Sequence, residues 1–462
     1  MKSAAFAILD MKPMFYSPLS GLCPLLPIVF LLLPIAGLCA QTQAITLPEA
    51  LRMADEQSIE IRRRALAVDR FAAEVDIVGE DYTPDVVLSA DYNLNIQRPV
   101  LIIGPDVPFN TTGETEAFVI GGRHAAEASV TVTQSFYDPR RRLRRRVAES
   151  GVSVAQAELE VARATVHRDV ERSFYRALFA RSERDTRQAQ IKQSTANLDF
   201  TLARFRQGRA LPLDTVTAAA TLARARADAR RADFDYQRTL MRLARQIGVK
   251  DYQNLELKGD LEIPSFPGPS GGDMTLIPGR LNSAEIRLAQ TRLAAAHVAL
   301  EAEERITAPT VDLVGRARTL GQSPDPLPDQ WRWAMTSFIG LSASYNFAEL
   351  WRGDPRRQVS EIRVRENELQ IADILRQDSI AVETLLFTMQ SARAQLEAEE
   401  ATIGQAGKAI EITMILYREG RATWLDVETA QNRLLDAQLA AERVKLQFLD
   451  TYVELKAIVG SE

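Results

Sequence analysis

A chain of 462 residues, 46% of them hydrophobic and 25% charged, with a formal net charge of −5, can bury several cores and has no global attraction to nucleic acid. Ala, Arg, Glu, Gln and Leu dominate, which favours long helices over a compact α/β body. Cys23 and Cys39 both lie in the apolar N-terminal region, so a chain cleaved beyond them has neither a disulfide nor a thiolate metal site.

Residues 1–40 read as an export signal. Lys2 and Lys12 supply positive charge, and Leu25 to Leu38 is largely apolar although Pro27 and Pro34 interrupt it. Cleavage after Ala40 leaves Gln41 first. The segment before the apolar stretch is long, which points to Met11 or Met14 as alternative starts. Lipid attachment at Cys39 is the competing reading, but Leu38 stands where a small residue is wanted. No later stretch approaches the ~18 apolar residues of a membrane helix, so any crossing must use strands.

Thr46-Leu47-Pro48-Glu49-Ala50-Leu51 opens a helix predicted to run to about Gly79, and Pro84 then stops helical structure. In the strand that follows, Val86, Leu88, Ala90, Tyr92, Leu94 and Ile96 alternate with Val87, Ser89, Asp91, Asn93, Asn95 and Gln97. Apolar outside and polar inside over about ten residues is the pattern of a transmembrane barrel strand. A Gly/Pro/Thr-rich loop is predicted over 98–126. A second strand then sets Ala128, Val130, Val132 and Phe136 against Ser129, Thr131, Thr133 and Ser135. After Asp138-Pro139 come Arg140, Arg141, Arg142, Leu143, Arg144, Arg145 and Arg146. Arginines at a helix start oppose the helix dipole and need compensation nearby. They lie directly after a strand exit, where anionic headgroups would meet them; a solvated face is the plain alternative, and the export signal argues against nucleic acid.

Phe205-Arg206-Gln207-Gly208-Arg209 marks the turn of a long helical hairpin and returns as Tyr417-Arg418-Glu419-Gly420-Arg421. One constant offset also pairs Leu213 with Leu425, Asp214 with Asp426, Ala218 with Ala430, Leu222 with Leu434 and Gly248 with Gly460, the mark of an internal duplication. Ile403, Ala406, Ile410, Thr413 and Tyr417 precede the second turn with the three-four spacing of a heptad seam. Val427, Ala430, Leu434, Ala437, Ala441, Val444 and Phe448 continue it. Gly208 and Gly420 suit left-handed helix ends, and Thr423 with Asp426 reads as a capping box. Pro212 suits a first helical position, although Leu211 is a poor cap.

Residues 251–280, rich in Pro and Gly, read as a connector with short alternation near Leu255–Leu257 and Leu261–Ile263. Beyond it Ser283-Ala284-Glu285-Ile286-Arg287 matches Ser58-Ile59-Glu60-Ile61-Arg62, and Pro309 matches Pro84. A third strand starts near Val311 and reads as weaker because of Arg316 and Arg318. A fourth sets Ile339, Leu341, Ala343, Tyr345 and Phe347 against Gly340, Ser342, Ser344 and Asn346. Pro324, Pro326 and Pro328 mark the loop between them, and Trp331 and Trp333 suit a membrane interface. Arg352, Arg356 and Arg357 follow the fourth strand as the arginine run follows the second. The chain thus divides into a signal peptide (1–40), a first repeat (41–250), a connector (251–280) and a second repeat (281–462). So few strands cannot close a useful barrel and open edges are excluded from lipid, so other copies must complete it; periodicity does not give their number.

Catalysis finds little footing. His124, His167 and His297 are far apart, and no phosphate loop, HExxH motif or nucleophile elbow appears, so neither cofactor nor metal is expected. The competing class is a secreted coiled-coil scaffold or envelope tether without a pore, which has no need for apolar strand faces of membrane height.

Taken together, Leu47-Pro48-Glu49-Ala50-Leu51, the Phe136-Tyr137-Asp138 strand exit and the twin hairpins ending in Gly248 and Gly460 resemble the TolC family of outer-membrane efflux proteins, over nearly the whole mature chain. The resemblance implies a mainly α protein with a membrane β-barrel. In that family a homotrimer closes a twelve-stranded barrel, four strands per chain, and continues into a periplasmic tunnel of α-helical coiled-coil hairpins. It implies a passive conduit for efflux or type I secretion that docks on a periplasmic adaptor and an inner-membrane transporter and is surrounded by outer-membrane lipid. It also implies a gate at the second turn, where Tyr417, Gly420 and Asp426 match the family's pattern. Ala422 stands at the latch arginine, with Arg421 adjacent, and Thr429 at the second acidic position, with Glu428 beside it. A ring of Asp426 carboxylates would repel itself, favour cations and raise its own pKa values; capping its helix is the alternative role. The turns, with Gly208, Arg209, Asp214, Gly420 and Arg421, are the implied adaptor-docking surface, and turn closure alone is the bland reading of the glycines.

Overall fold

The computed structural model describes residues 43–80, 83–98, 100–103, 115–249, 252–264, 281–304, 308–324, 330–345, 347 and 355–460. The expected signal and Cys39 lie outside the described residues, as do Pro326, Pro328, Asn346 and Arg352. In chain order the elements are β1 (Gln43–Ile45), α1 (Leu47–Gln57), α2 (Ile59–Glu80), β2 (Asp85–Leu94), β3 (Val100–Ile103), β4 (Glu116–Val119), β5 (His124–Tyr137), α3 (Arg140–Arg206) and α4 (Pro212–Ile247). They continue with a 3-10 turn (Tyr252–Asn254), β6 (Leu255–Leu257), α5 (Ala284–Glu304), β7 (Thr310–Ser323), β8 (Arg332–Ser344), α6 (Pro355–Arg418) and α7 (Trp424–Val459).

Thr46 caps α1 reciprocally with Glu49, whose carboxylate accepts from the Thr46 backbone N–H at 2.8 Å and its hydroxyl at 3.0 Å. The single helix expected to reach Gly79 is in fact two, because Ser58 is extended and separates α1 from α2. Arg62 heals the break by donating to the Glu56 carbonyl at 2.7 and 3.0 Å. The second repeat opens in the same way. Ser283 Oγ accepts from Ile286 N at 3.2 Å, and Arg287 donates to the Asn282 carbonyl at 2.8 Å.

Helices α3, of 67 residues, and α6, of 64, are each roughly 100 Å long at 1.5 Å per residue. Each doubles back, α3 into α4 and α6 into α7, and α3 packs on α7 to join the two hairpins. The heptad positions Tyr417, Val427, Ala430, Ala437, Ala441, Val444 and Phe448 are buried, as the seam requires. Midway along, Ile45, Phe174, Leu178, Tyr236, Leu243, Ile247, Leu257 and Leu449 form one core. Beside it Arg172 pairs with Glu454 at 2.6 Å, Arg176 with Asp450 at 3.0 Å and Lys456 with buried Glu171 at 2.7 Å, all between α3 and α7. The connector's Leu255–Leu257 alternation is the strand β6, paired in parallel with β1.

The main sheet runs β2-β5-β7-β8, antiparallel throughout. Two expectations are corrected here. The loop predicted over 98–126 contains the antiparallel ribbon β3–β4, and β5 begins at His124, because Val100-Leu101-Ile102-Ile103 and Ala117-Phe118-Val119 are themselves strand-forming runs. The strand predicted to be weak, β7, spans 14 residues. Its Arg316 and Arg318 lie 3.5 and 3.7 Å from Glu127 across the sheet, so the charges that seemed to weaken it are paired.

Each hairpin ends on a glycine pressed against the start of its own repeat. Gly248 has φ +78° and a Cβ there would lie 2.6 Å from Gln57 Cβ; Gly460 has φ +82° and its Cβ would lie 2.8 Å from the Asn282 carbonyl oxygen. Gly460→Ala is expected to cost about 2 kcal/mol, from backbone strain together with that clash. A lowered midpoint of thermal unfolding would show it; an unchanged midpoint would mean that the end of α7 shifts freely.

Candidate functional site

The sheet has two chemically distinct faces. Rows across it run Val86–Val132–Gly315–Ile339, Leu88–Val130–Ala317–Ser337 and Tyr92–Ala126–Gly321–Trp333 on one side. On the other run Ser89–Ser129–Arg318–Thr336 and Asp91–Glu127–Leu320–Ala334. The large side chains of the first face, among them Val86, Leu88, Ile339 and Leu341, are exposed, as is appropriate to lipid. Strands of 10 to 14 residues are tall enough to span a bilayer. The outer strands β2 and β8 have no further strand partner among the described residues. No described helix is long and apolar enough to cross a membrane.

The residues expected to act as anchors lie at the two ends of the sheet. Away from the helices, Trp331 stacks on Trp333 at 5.6 Å and lies 6.5 Å from Tyr92, whose hydroxyl is 2.6 Å from His124 Nδ1. At the helical end, the arginine run proves to be largely paired within the chain. Asp138 takes Arg140 and Arg144 at 3.0 Å each, Glu149 takes Arg145 at 3.0 Å, and Glu301 takes Arg146 at 2.7 Å. Arg141 is half-buried and also has a partner; Arg142 is exposed. Asp138 also accepts from the Arg140 backbone N–H at 3.0 Å, which supplies the negative charge that the start of α3 needs. Beyond the fourth strand, Arg357 pairs with Glu304 at 3.3 Å and Arg356 is exposed.

At the opposite end of the helices, both turns close on left-handed glycines, Gly208 with φ +66° and Gly420 with φ +76°. Arg209 N donates to the Arg204 carbonyl and Arg421 N to the Leu416 carbonyl, both at 2.9 Å, the hydrogen bonds of a Schellman ending. Gly208, Arg209, Gly420 and Arg421 are exposed, and Arg421 lies 3.6 Å from Glu419. Although Leu211 has no capping side chain, Asp214 substitutes by accepting from Leu211 N at 3.1 Å. In the second hairpin Asp426 accepts from the Thr423 N–H at 2.8 Å and its hydroxyl at 2.7 Å. These hydrogen bonds hold the exposed Asp426 carboxyl below its ordinary pKa, opposite to the rise that a ring of like charges would give.

Tyr417 is buried in a tip cluster with Ala218, Trp424 and Val427. Burial pushes its phenol pKa up. Its ring lies edge-on to Phe200 at 6.2 Å and to Trp424 at 5.5 Å. Arg204, at the end of α3, stacks over that ring at 4.8 Å and donates to the Tyr417 carbonyl at 2.7 Å, so it fastens one hairpin to the other. Thr221 donates to Glu428 at 2.7 Å and Asn197 to Gln431 at 3.0 Å across the same seam. Arg204 and Trp424 were missed by sequence reasoning. Arg204 directly precedes the repeated Phe205-to-Arg209 motif and Trp424 lies inside the Thr423–Asp426 capping box, but neither position's partners can be read from those motifs. No group of potential metal ligands is present among the described residues.

A sheet with one face for lipid and one for water, continued into helical hairpins of this length, defines the wall of a membrane channel and its tunnel. The chain belongs to the outer membrane efflux protein family, whose model matches residues 50–249 and 280–461. It is similar to nodulation protein T of Rhizobium leguminosarum bv. trifolii, with 21% identity over 420 residues, 88% of this chain and 83% of that protein. Among solved structures it resembles the CmeC outer membrane channel of Campylobacter jejuni, with a TM-score of 0.66, 16% identity, and 90% of this chain and 85% of that one covered. VceC of Vibrio cholerae matches with a TM-score of 0.65, 18% identity, and coverage of 90% and 96%. The open state of the Neisseria gonorrhoeae MtrE outer membrane channel matches with a TM-score of 0.65, 16% identity, and coverage of 90% and 89%. The fold is that of the TolC-family channels, a helical tunnel joined to a β domain.

Proposed function

We propose that three copies of the mature chain, freed of residues 1–40, close the sheet into an outer-membrane barrel and the hairpins into a periplasmic tunnel. The assembly is a passive outlet for cargo delivered by an inner-membrane transporter through an adaptor seated on the turns. The observation that carries this reading is the two-faced sheet with open edges at β2 and β8, an arrangement that lipid permits only when another copy pairs with each edge. The exposed Arg142 and Arg356 and the tryptophan pair face the headgroup regions in this reading. Mass measurement of the detergent-solubilised protein and single-channel recording in a planar bilayer test it. A trimer giving discrete steps is expected. A monomer that never inserts would favour the poreless envelope tether instead.

The tip of the second hairpin is the gate in this proposal, with Asp426 both capping α7 and placing charge at the constriction. Asp426→Ala is expected to raise closed-state leak. The pH dependence has a definite sign. Because the folded carboxyl titrates low, its contribution is fully present above the ordinary aspartate range and is lost as pH falls through the lowered value. Acid should therefore raise leak in the native channel and not in the variant. Equal conductance of the two proteins at neutral pH would leave Asp426 as a helix cap only.

A further inference from the structure

The ribbon β3–β4 carries large apolar residues on both of its faces. Val100, Ile102, Ala117 and Val119 share one face; Leu101, Ile103 and Phe118 share the other, with Glu116 opposite Ile103 at its end. Ile102 is 68% exposed, Phe118 48% and Leu101 47%, so neither face is covered by the described residues. A lone two-stranded ribbon is marginal in water, and apolar residues on both sides make it a poor solvent surface. Its base, by contrast, is fixed. Asn95 N donates to the Arg123 carbonyl at 2.8 Å, and Asn95 Nδ2 to the Gly122 carbonyl at 3.0 Å. Gly122 itself lies so close to Ser323 that a Cβ would stand 2.5 Å from that backbone.

Two facts select what covers the ribbon. First, it follows the end of β2 beyond Tyr92, which belongs to the aromatic cluster with Trp331 and Trp333 at that rim, so it rises from the outward mouth on the water side of the interface. Secondly, lipid would wet only one face of a ribbon lying on it. In a closed ring of identical copies each copy contacts its two neighbours through two different patches. A ribbon with two apolar faces supplies both patches.

We infer that the β3–β4 ribbons of neighbouring copies stack face to back around the outward mouth and form an apolar constriction there. The occupant of each face is the next copy of the same ribbon, an inference that rests on the trimeric reading above. Ribbons stacked in this way narrow the outward mouth, so the outlet carries a steric barrier at its outer end distinct from the helical tip.

The test uses the full chain in native outer membranes. With Cys23 and Cys39 both inside the expected signal, the mature protein offers a background free of cysteine. The double variant Leu101→Cys with Val119→Cys places one thiol on each face. Oxidation is expected to link it into covalent dimers and trimers, while each single variant links far less. The variant pair Ile102→Asp and Phe118→Asp is expected to raise single-channel conductance about twofold or more by driving the stacked ribbons apart. A trimeric mass with no linkage, or conductance unchanged by the two aspartates, overturns the constriction and leaves the trimer standing. A monomeric mass overturns the trimeric reading itself. A spin label at Ile102→Cys that is relaxed by dissolved oxygen and shielded from a water-soluble nickel chelate would place the ribbon on lipid, and would equally overturn the inference.

Discussion

Arg204→Ala should open the resting channel more than any other single substitution at the tip. The side chain donates to the Tyr417 carbonyl at 2.7 Å and covers the Tyr417 ring at 4.8 Å, so it ties the end of α3 to the end of α6. Losing one charge-assisted hydrogen bond and one cation–π contact at a half-buried site costs about 2 kcal/mol. At tenfold per 1.4 kcal/mol, the closed-to-open ratio falls by about thirtyfold. Arg204→Lys keeps the charge without the planar stacking group and should fall between. Closed-state conductance in a planar bilayer reads both. If Arg204→Ala conducts like the native protein, the contact between the hairpins is not what closes the tunnel.

The second large effect is expected at Gly420. With φ +76° and no atom within 4 Å of where a Cβ would stand, a leucine there points into solvent and disturbs no packing. The left-handed backbone costs it roughly 1–2 kcal/mol, which hairpins packed along their whole length tolerate. Gly420→Leu is therefore expected to assemble and insert normally yet reduce export to background, because the bulk sits where an adaptor hairpin would approach. Gly420→Ala carries the same backbone strain with little volume and should keep most of the export. Equal loss in the two variants would assign the effect to strain, and export surviving the leucine would remove the turn from the docking surface.

The long-range architecture could be read from the chain because its signals are periodic and duplicated. Heptad spacing from Ile403 to Phe448, the strand alternation from Val86 to Leu94 and the paired turns at Gly208 and Gly420 each follow from local geometry, and local geometry is what sequence records directly. What escaped depended on partners distant in sequence. Strand β7 was underrated because Glu127 lies in a different repeat from Arg316, and only the sheet register brings them together. In the arginine run the local partners Asp138 and Glu149 could be read from spacing, whereas the pairing of Arg146 with Glu301 could not. Ser58 broke a helix that propensity alone would have continued, since its broken hydrogen bonds are replaced by the Arg62 side chain. At the tip, Tyr417 and Asp426 were legible as motif positions, whereas Arg204 acquires meaning only once the two hairpins lie side by side.

The ion pairs of Arg172, Arg176 and Lys456 with Glu454, Asp450 and Glu171 lie about 30 residues from the end of α3, roughly 45 Å at 1.5 Å per residue. They fix α7 to α3 at that level, while nearer the tip the joint depends on few contacts, Arg204 with Tyr417 and Thr221 with Glu428 among them. The arrangement is that of a lever with a stiff fulcrum and a weak latch. A rotation of about 5° at the fulcrum carries the tip about 4 Å over that arm. In the proposed trimer that displacement is the width of a side chain, and it leaves the sheet at the other end of the hairpins where it stands.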